Sequence, residues 1–424
     1  MKNKFRLIID GGVPLTGTLR ISGSKNSALP SLFATLLTDD ECILENVPDL
    51  DNIDTTCSLL NVLGKKVVRN PGRITVLKGK NILTEAPYDL VRRMRASILV
   101  LGPLLARRGR ASASLPGGCA IGMRPINIHL SGFEALGARF EVSKGVVRLK
   151  SKRLAGNRVR LAFPSVGATE NLLMAAVLAQ GKTVISNAAR EPEIVDCADL
   201  LNKMGAGISG AGTGTISVYG KEKLHGACHA VIPDRIETST YLLAAAATGG
   251  RLKLTGTRSS HIRSVLEVLV RAGAKIRIEN DPLRDTESIL CAAPKIIKPV
   301  SVVTGPYPAF PTDVQAQWMA LMSLSKGKCT VRESVFENRF LHAAELCRMG
   351  ASIEIRGQTA IVTGVKDLSG TQVMVSDLRA GAAMVIAGLA AKGRTVVQRI
   401  YHLDRGYEKL EENLRAAGAR IKRD

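Results

Sequence analysis

Apolar and polar positions follow two rhythms that take turns along the chain. Alanine- and leucine-rich runs at Asn171 to Ala179, Thr238 to Ala247 and Gly381 to Ala391 read as helices. Each precedes a short β-branched run that reads as a strand: Lys182-Thr183-Val184-Ile185, Arg251-Leu252-Lys253-Leu254 and Arg394-Thr395-Val396-Val397. A further amphipathic segment then ends on a recurring signature. It reads Leu63-Gly64-Lys65, Leu136-Gly137-Ala138, Met204-Gly205-Ala206, Ala272-Gly273-Ala274, Met349-Gly350-Ala351 and Ala417-Gly418-Ala419. The six glycines lie 73, 68, 68, 77 and 68 residues apart. Glycine is expected just past a helix end, where φ is often positive. Strand-like runs follow, as at Arg139-Phe140-Glu141-Val142 and Lys275-Ile276-Arg277-Ile278.

Each unit therefore reads strand, helix, strand, helix and two strands, which makes an α/β protein. Six units in 424 residues fit two domains of three better than one extended array. The last unit stops at Asp424, while the strand-like stretch Phe5 to Ile21 precedes the first full unit. The N-terminal strands are thus expected to complete the C-terminal domain, giving domains of residues 1–22 with 232–424, and 23–231. The chain would cross between them near Ser22-Gly23 and near Val231 to Pro233, and a double crossing suggests a hinge beside a ligand cleft.

Composition narrows the class. A hydrophobic fraction of 45% is ordinary for a soluble globular protein. Eight cysteines without a disulfide-like spacing point to a reducing compartment. No stretch has the length of a signal-peptide core or a membrane span, so a cytoplasmic soluble protein is expected, with no membrane insertion. The net charge of +22 admits two readings, a nucleic-acid partner or strongly anionic small molecules. The cations are scattered, as in Arg92-Arg93-Met94-Arg95, and aromatic residues are only 4%, which leaves little for base stacking. Anionic small molecules are the better match.

One loop stands out. Leu115-Pro116-Gly117-Gly118-Cys119-Ala120-Ile121-Gly122-Met123-Arg124-Pro125 places a thiol among glycines, near a fixed positive charge. Such a thiol is a candidate reactive group, and equally a small buried hydrophobe. Cys42, Cys57, Cys197, Cys291, Cys329 and Cys347 sit in apolar stretches and read as buried. The starts of the first helices are polar or charged: Ser24-Lys25-Asn26-Ser27, Arg95-Ala96-Ser97, Ser165-Val166-Gly167-Ala168-Thr169, Asp234-Arg235-Ile236-Glu237-Thr238, Thr312-Asp313 and Asp377-Leu378-Arg379. Any one of them could be a plain cap. Together they could gather positive helix ends and basic side chains where phosphate and carboxylate bind. His225, Cys228 and His229 lack a second half for a metal site. Gly210-Ala211-Gly212-Thr213-Gly214 opens no helix and reads as a hairpin turn rather than a dinucleotide fingerprint.

These residues resemble the enolpyruvyl transferases. The resemblance is carried by Ser22-Gly23-Ser24-Lys25-Asn26, Met94-Arg95-Ala96-Ser97, Pro116-Gly117-Gly118-Cys119, Ala189-Arg190-Glu191-Pro192-Glu193, Pro311-Thr312-Asp313, Phe336-Glu337-Asn338-Arg339, Asp377-Leu378-Arg379 and Asp404-Arg405-Gly406-Tyr407. These motifs, in order, cover nearly the whole chain. The resemblance implies a two-domain inside-out α/β barrel of six βαβαββ repeats, three per domain. It also implies transfer of the enolpyruvyl group of phosphoenolpyruvate to the 3-hydroxyl of UDP-N-acetylglucosamine, the branch of the family that opens peptidoglycan synthesis. Phosphate would leave after addition and elimination through a tetrahedral intermediate. No metal, organic cofactor or nucleic acid is implied, and a monomer is expected.

Residue by residue, the resemblance implies phosphoenolpyruvate binding by Lys25, Asn26, Arg124, Arg339, Arg379 and Arg405. It implies nucleotide-sugar binding by Arg95, Arg124, Pro125, Ile126, Asn127, Ile128, Ser165, Val166, Gly167, Asp313 and Val335. Cys119 matches the proton donor to the methylene carbon, and Asp313 the base for the sugar hydroxyl. Asp377 matches a group that handles protons around the intermediate, with Lys25 and Arg405 in the catalytic set. Two departures fall on the nucleotide side: Asn127 stands where some members have Asp, and Phe163-Pro164 where some have Lys-Val.

Overall fold

The computed structural model describes residues 5–115, 126–281 and 285–424. Contacts divide the described residues into two units, one of residues 23–115 with 126–232 and the other of residues 5–22 with those from 233 to 424. The described residues form six sheets of four strands each. In each sheet the first pair of strands is parallel and the next two pairings are antiparallel, as with Arg158–Arg160, Lys182–Ser186, Thr215–Tyr219 and Gly207–Ser209. This is the βαβαββ repeat.

The repeats close on themselves within each unit. Leu7–Asp10 lies between Arg394–Gln398 and Arg420–Arg423, antiparallel to both. Thr16–Arg20 runs parallel to Arg251–Thr257. The N-terminal strands are therefore built into the sheets of the C-terminal sequence. In the other unit, Cys228–Ala230 pairs in parallel with Cys42–Glu45.

Each unit has three central helices. One unit contains Lys25–Ala34, Leu101–Arg108 and Val166–Ala176, the second entered through the 3-10 helix Arg95–Val100. The other contains Arg235–Ala247, Gln315–Met322 and Leu378–Ala390, which pack on one another. Every residue of Gln315–Met322 is buried, Gln315 and Gln317 included. A helix apolar on all sides belongs in a core. These helices start at the polar motifs, at Val166, Arg235 and Leu378, and run on through the alanine-rich stretches. Their first turns are polar because they end at the surface of the core.

The signature glycines do what their position requires. Gly64, Gly137, Gly205, Gly273, Gly350 and Gly418 all have φ between 88° and 104°, and each follows the last turn of an outer helix. A left-handed residue there lets the chain reverse into the next strand. The turn at residues 210–214 joins two antiparallel strands, as its glycine content predicts.

Two glycine substitutions separate backbone conformation from packing. Gly137 has φ +88 and open space around it, so Gly137→Ala carries only the left-handed penalty, about 1–2 kcal/mol. A Cβ on Gly364 would lie 1.6 Å from the Ser325 carbonyl oxygen, so Gly364→Ala forces backbone apart and is expected to cost about 3 kcal/mol or more. Urea denaturation of the two variants tests this, and equal costs would contradict it.

Candidate active site

The described candidate residues fall into two groups, one in each unit. In the unit that includes the chain ends, the starts of two central helices meet. Asp313 lies in the 3-10 turn Thr312–Val314, just before Gln315–Met322. One carboxylate oxygen accepts from Arg339 at 2.7 Å and the other from Arg379 at 3.0 Å. The two arginine side chains are 3% and 6% exposed, whereas Asp313 is 29% exposed. Two buried guanidinium groups thus share one accessible carboxylate. Burial opposes the charge on Arg379, but Asp313 beside it more than offsets this and keeps the group firmly protonated.

A buried polar chain sets Arg379. Its second terminal nitrogen lies 3.4 Å from the Tyr407 hydroxyl, which is 2.9 Å from Thr240 Oγ1. Gln317 donates to that threonine at 3.3 Å. All three central helices of the unit therefore contribute to one network. Asp377 caps Leu378–Ala390, accepting from the backbone N–H groups of Arg379 at 2.9 Å and Ala380 at 3.1 Å. Ser376 donates to its other oxygen. Arg405 ends the 3-10 turn Ile400–Arg405, 5.7 Å from the centre of the Tyr401 ring. Its neighbour Asp404 is fixed by a two-pronged contact from Arg423 at 2.7 and 3.1 Å.

Sequence reading missed two groups here. Glu333 is buried and accepts from Thr304 and Thr312 hydroxyls at 2.9 and 2.8 Å, and from the Val335 and Phe336 N–H groups at 2.8 and 3.1 Å. It ties the Val335 loop to the turn that carries Asp313. His342 is also buried, and burial pushes its imidazole down to about 4, with Arg339 adding to the effect and Asp377 opposing it. Only the polar loop after the strand Lys328–Arg332 hints at Glu333; nothing near His342 in sequence hints at its role.

In the other unit, Lys25 and Asn26 open the helix Lys25–Ala34. Ser27, in the same turn, donates to Asp196, which is 2.9 Å from His229 Nε2. The Lys203 ammonium donates to His229 Nδ1 at 3.2 Å, so the imidazole proton belongs on Nε2. His229 is thereby accounted for as a support of the Lys25 helix start. A second chain joins the nucleotide-side positions. His129 follows Ile126, Asn127 and Ile128, and its Nδ1 accepts from Asn171 at 2.9 Å. Asn171 also donates to the Ile98 carbonyl and accepts from the Gly102 N–H. A Cβ on Gly167 would come within 3.4 Å of the His129 ring. The stretch 126–129, the segment after Arg95 and the Val166-Gly167 helix start are therefore brought together. Burial, and then the charge of Arg95, pushes His129 down to about 4. Ser165 caps its helix, accepting from the Ala168 N–H at 3.3 Å.

Cys119, Arg124 and Pro125 lie outside the described residues. Five other cysteines are buried, and burial raises each thiol: Cys57 and Cys329 to about 11, Cys291 to about 12, with Cys42 and Cys197 also above their usual range. They are poor nucleophiles at neutral pH. Cys347, expected to be buried, is exposed, as is Cys228; it sits on the outer face of Leu341–Arg348, whose His342, Ala343 and Leu346 are buried.

Comparison with known proteins decides the family. The EPSP synthase (3-phosphoshikimate 1-carboxyvinyltransferase) profile matches residues 9–414. The chain belongs to the enolpyruvyl transferase family. A UDP-N-acetylglucosamine 1-carboxyvinyltransferase of Endomicrobium trichonymphae is 54% identical, with 98% of this chain and 99% of that one covered. One from Caldanaerobacter subterraneus is 51% identical over the whole of both chains. Among solved structures, the enolpyruvyl transferase NikO of Streptomyces tendae superposes with a TM-score of 0.88 at 26% identity, covering 99% and 98% of the two chains. An EPSP synthase of Acinetobacter baumannii shares the fold, with a TM-score of 0.78 at 17% identity over 99% of this chain and 100% of that one. Among the described residues no helix is long and apolar enough to cross a membrane.

The two buried histidines predict a pH dependence. Each is neutral when folded, with a value near 4, and takes up a proton near 6.5 when unfolded. The unfolded chain binds more protons between these values, so stability falls as pH drops from about 6.5 towards 4. Each histidine contributes up to about 3 kcal/mol to that loss. His342→Gln is expected to flatten the dependence of the urea midpoint on pH between 7 and 4.5. An unchanged slope would show that His342 is not buried neutral.

Proposed function

We propose that this chain transfers the enolpyruvyl group of phosphoenolpyruvate to the 3-hydroxyl of UDP-N-acetylglucosamine, releasing phosphate, at the entry to peptidoglycan synthesis in the cytosol. The observation that carries the reading is relatives of that name at 50–54% identity over nearly their whole length. The likeness to EPSP synthase structures, at 17% identity, speaks for the fold alone. The cation-rich helix starts support the same reading, because phosphoenolpyruvate carries a phosphate and a carboxylate.

In this reading Lys25, Asn26, Arg124, Arg339, Arg379 and Arg405 bind phosphoenolpyruvate. Guanidinium groups suit both anions because they donate in pairs. Arg95, residues 124–128, Ser165, Val166, Gly167, Asp313 and Val335 bind the nucleotide sugar. Addition joins the sugar oxygen to C2 of phosphoenolpyruvate while Cys119 gives a proton to the methylene carbon. Asp313 takes the hydroxyl proton. Elimination then returns a proton from the new methyl group, with Asp377 assisting, and breaks the bond to phosphate. Atoms and electrons balance without a metal or redox cofactor.

Asp313 needs a particular circumstance to act as a base. Both of its oxygens hold arginines in this structure. Incoming phosphate or carboxylate competes for those arginines and frees one oxygen for the sugar hydroxyl. The clamp therefore stores the carboxylate in its charged form until substrate arrives.

The test is phosphate release from phosphoenolpyruvate, with and without UDP-N-acetylglucosamine. Release that needs both substrates supports the reading; none from folded protein would sink it. Cys119→Ala should lower turnover by at least about a hundredfold, the scale of a lost proton donor. Cys119→Asp should retain more activity, because a carboxylic acid can also deliver the proton. A fosfomycin-type epoxide should label Cys119 alone by mass spectrometry. Asp313→Asn should lower kcat by a similar factor and should also lower the urea midpoint, because it leaves the buried Arg339 and Arg379 without their shared carboxylate.

A further inference from the structure

The central helices of the unit formed by residues 23–232 have a second end. About 20 Å from Lys25, by helix rise, their last turns surround an open cavity of 1410 Å³, lined at Leu37, Leu105 and Leu178 by the three helix ends. Nine Lys and Arg residues line it, against three acidic residues. It is larger than a typical small-molecule pocket, and no Phe, Tyr or Trp is among the described residues that line it.

Part of this charge has a structural purpose. Helix C-termini present unpaired carbonyls. Arg107 donates to the Leu36 and Thr38 carbonyls at 3.0 and 2.9 Å, and Lys65 donates to Thr38 at 2.6 Å. Arg107 also pairs with Asp39, and Asp40 accepts from the Gly226 N–H. Those groups satisfy one another.

The remaining cations do not. Arg110, Lys150 and Arg139 lie directly across from one another on three adjacent strands. All three are exposed, and none forms an ion pair with a described residue. Like charges placed opposite each other in a sheet repel. Among the other five sheets the equivalent place holds a neutral residue in four, as with Ala292 between Arg251 and Lys275, and a carboxylate in one. There Asp10 lies between Arg394 and Arg420, 2.8 Å from the Arg394 guanidinium. In the basic cavity a lysine stands where that sheet has the aspartate. Arg153 and Lys223 add further unpaired charge to the same walls.

We propose that this cavity is a binding site for a soluble anion bearing several phosphate groups. The three aligned cations repel one another with no carboxylate between them, and a multivalent anion offsets that repulsion. A concave wall with no Phe, Tyr or Trp among its described residues disfavours a membrane surface, which needs a flat or convex face, and single-stranded nucleic acid, which needs stacking. The site lies at the opposite ends of the helices from Lys25, so it does not depend on the proposed transferase reading.

Tripolyphosphate is the probe, titrated calorimetrically at 50 and 500 mM salt. Wild-type protein should bind it at low salt and lose at least tenfold in affinity at high salt. Lys150→Asp, which puts a carboxylate between Arg110 and Arg139, should weaken binding tenfold or more while phosphate release from phosphoenolpyruvate stays unchanged. Lys150→Gln should fall between the two. Hydrogen exchange should slow in residues 107–110 and 150–154 when the probe binds. Absent binding, or equal binding by Lys150→Asp, would overturn the proposal. So would tighter binding to phosphatidylglycerol vesicles or to a single-stranded oligonucleotide than to tripolyphosphate.

Discussion

The structure depends on central helices that are buried on every side. Gln315–Met322 and Leu378–Ala390 show the constraint most plainly, since they expose almost nothing along their length. A helix in that situation can carry chemistry only at its ends. Its first turn must satisfy free N–H groups and its last turn free carbonyls, and both ends face water or one another. The polar motifs at the helix starts and the cations at the helix ends are two consequences of the same burial. The site groups gather at one end because no other part of those helices can host them.

This constraint also explains the support around the candidate residues. A charged group at the mouth of an apolar core needs partners that are themselves satisfied. Asp313 is held by Arg339 and Arg379, Arg379 by Tyr407, and Tyr407 by Thr240. Ser27, Asp196, His229 and Lys203 form a comparable chain beneath Lys25 and Asn26. Such chains fix side chains in one orientation, which positions charge before substrate arrives. A cationic site of this kind suits reactions whose charge sits on phosphate and carboxylate, not on a metal.

Much of the fold was legible because the repeat is enforced locally. A helix must stop before the next strand can pair, and a left-handed glycine stops it at Gly64 and its five counterparts. The helix starts were legible from their polar motifs and not from the alanine-rich runs. Residues such as Val166 and Arg235 begin a core helix with a polar first turn. The candidate residues themselves stood out through ordered motifs. Their supports did not, because Glu333, His342, Asp196 and Asn171 act through space on partners far away in sequence. The exposure of Cys347 was misread for a related reason, since apolar neighbours in sequence do not fix which face a helix buries.

The proposed reaction rests above all on one step, in which an acid and a base carry phosphoenolpyruvate through an intermediate with a methyl carbon. Running the reaction in deuterated water and analysing the product by NMR and mass spectrometry tests this directly. The account predicts deuterium in the vinyl methylene of the product, introduced when C3 is protonated and retained in part when a proton leaves. Product that forms with release of phosphate but carries no deuterium at that carbon would contradict it.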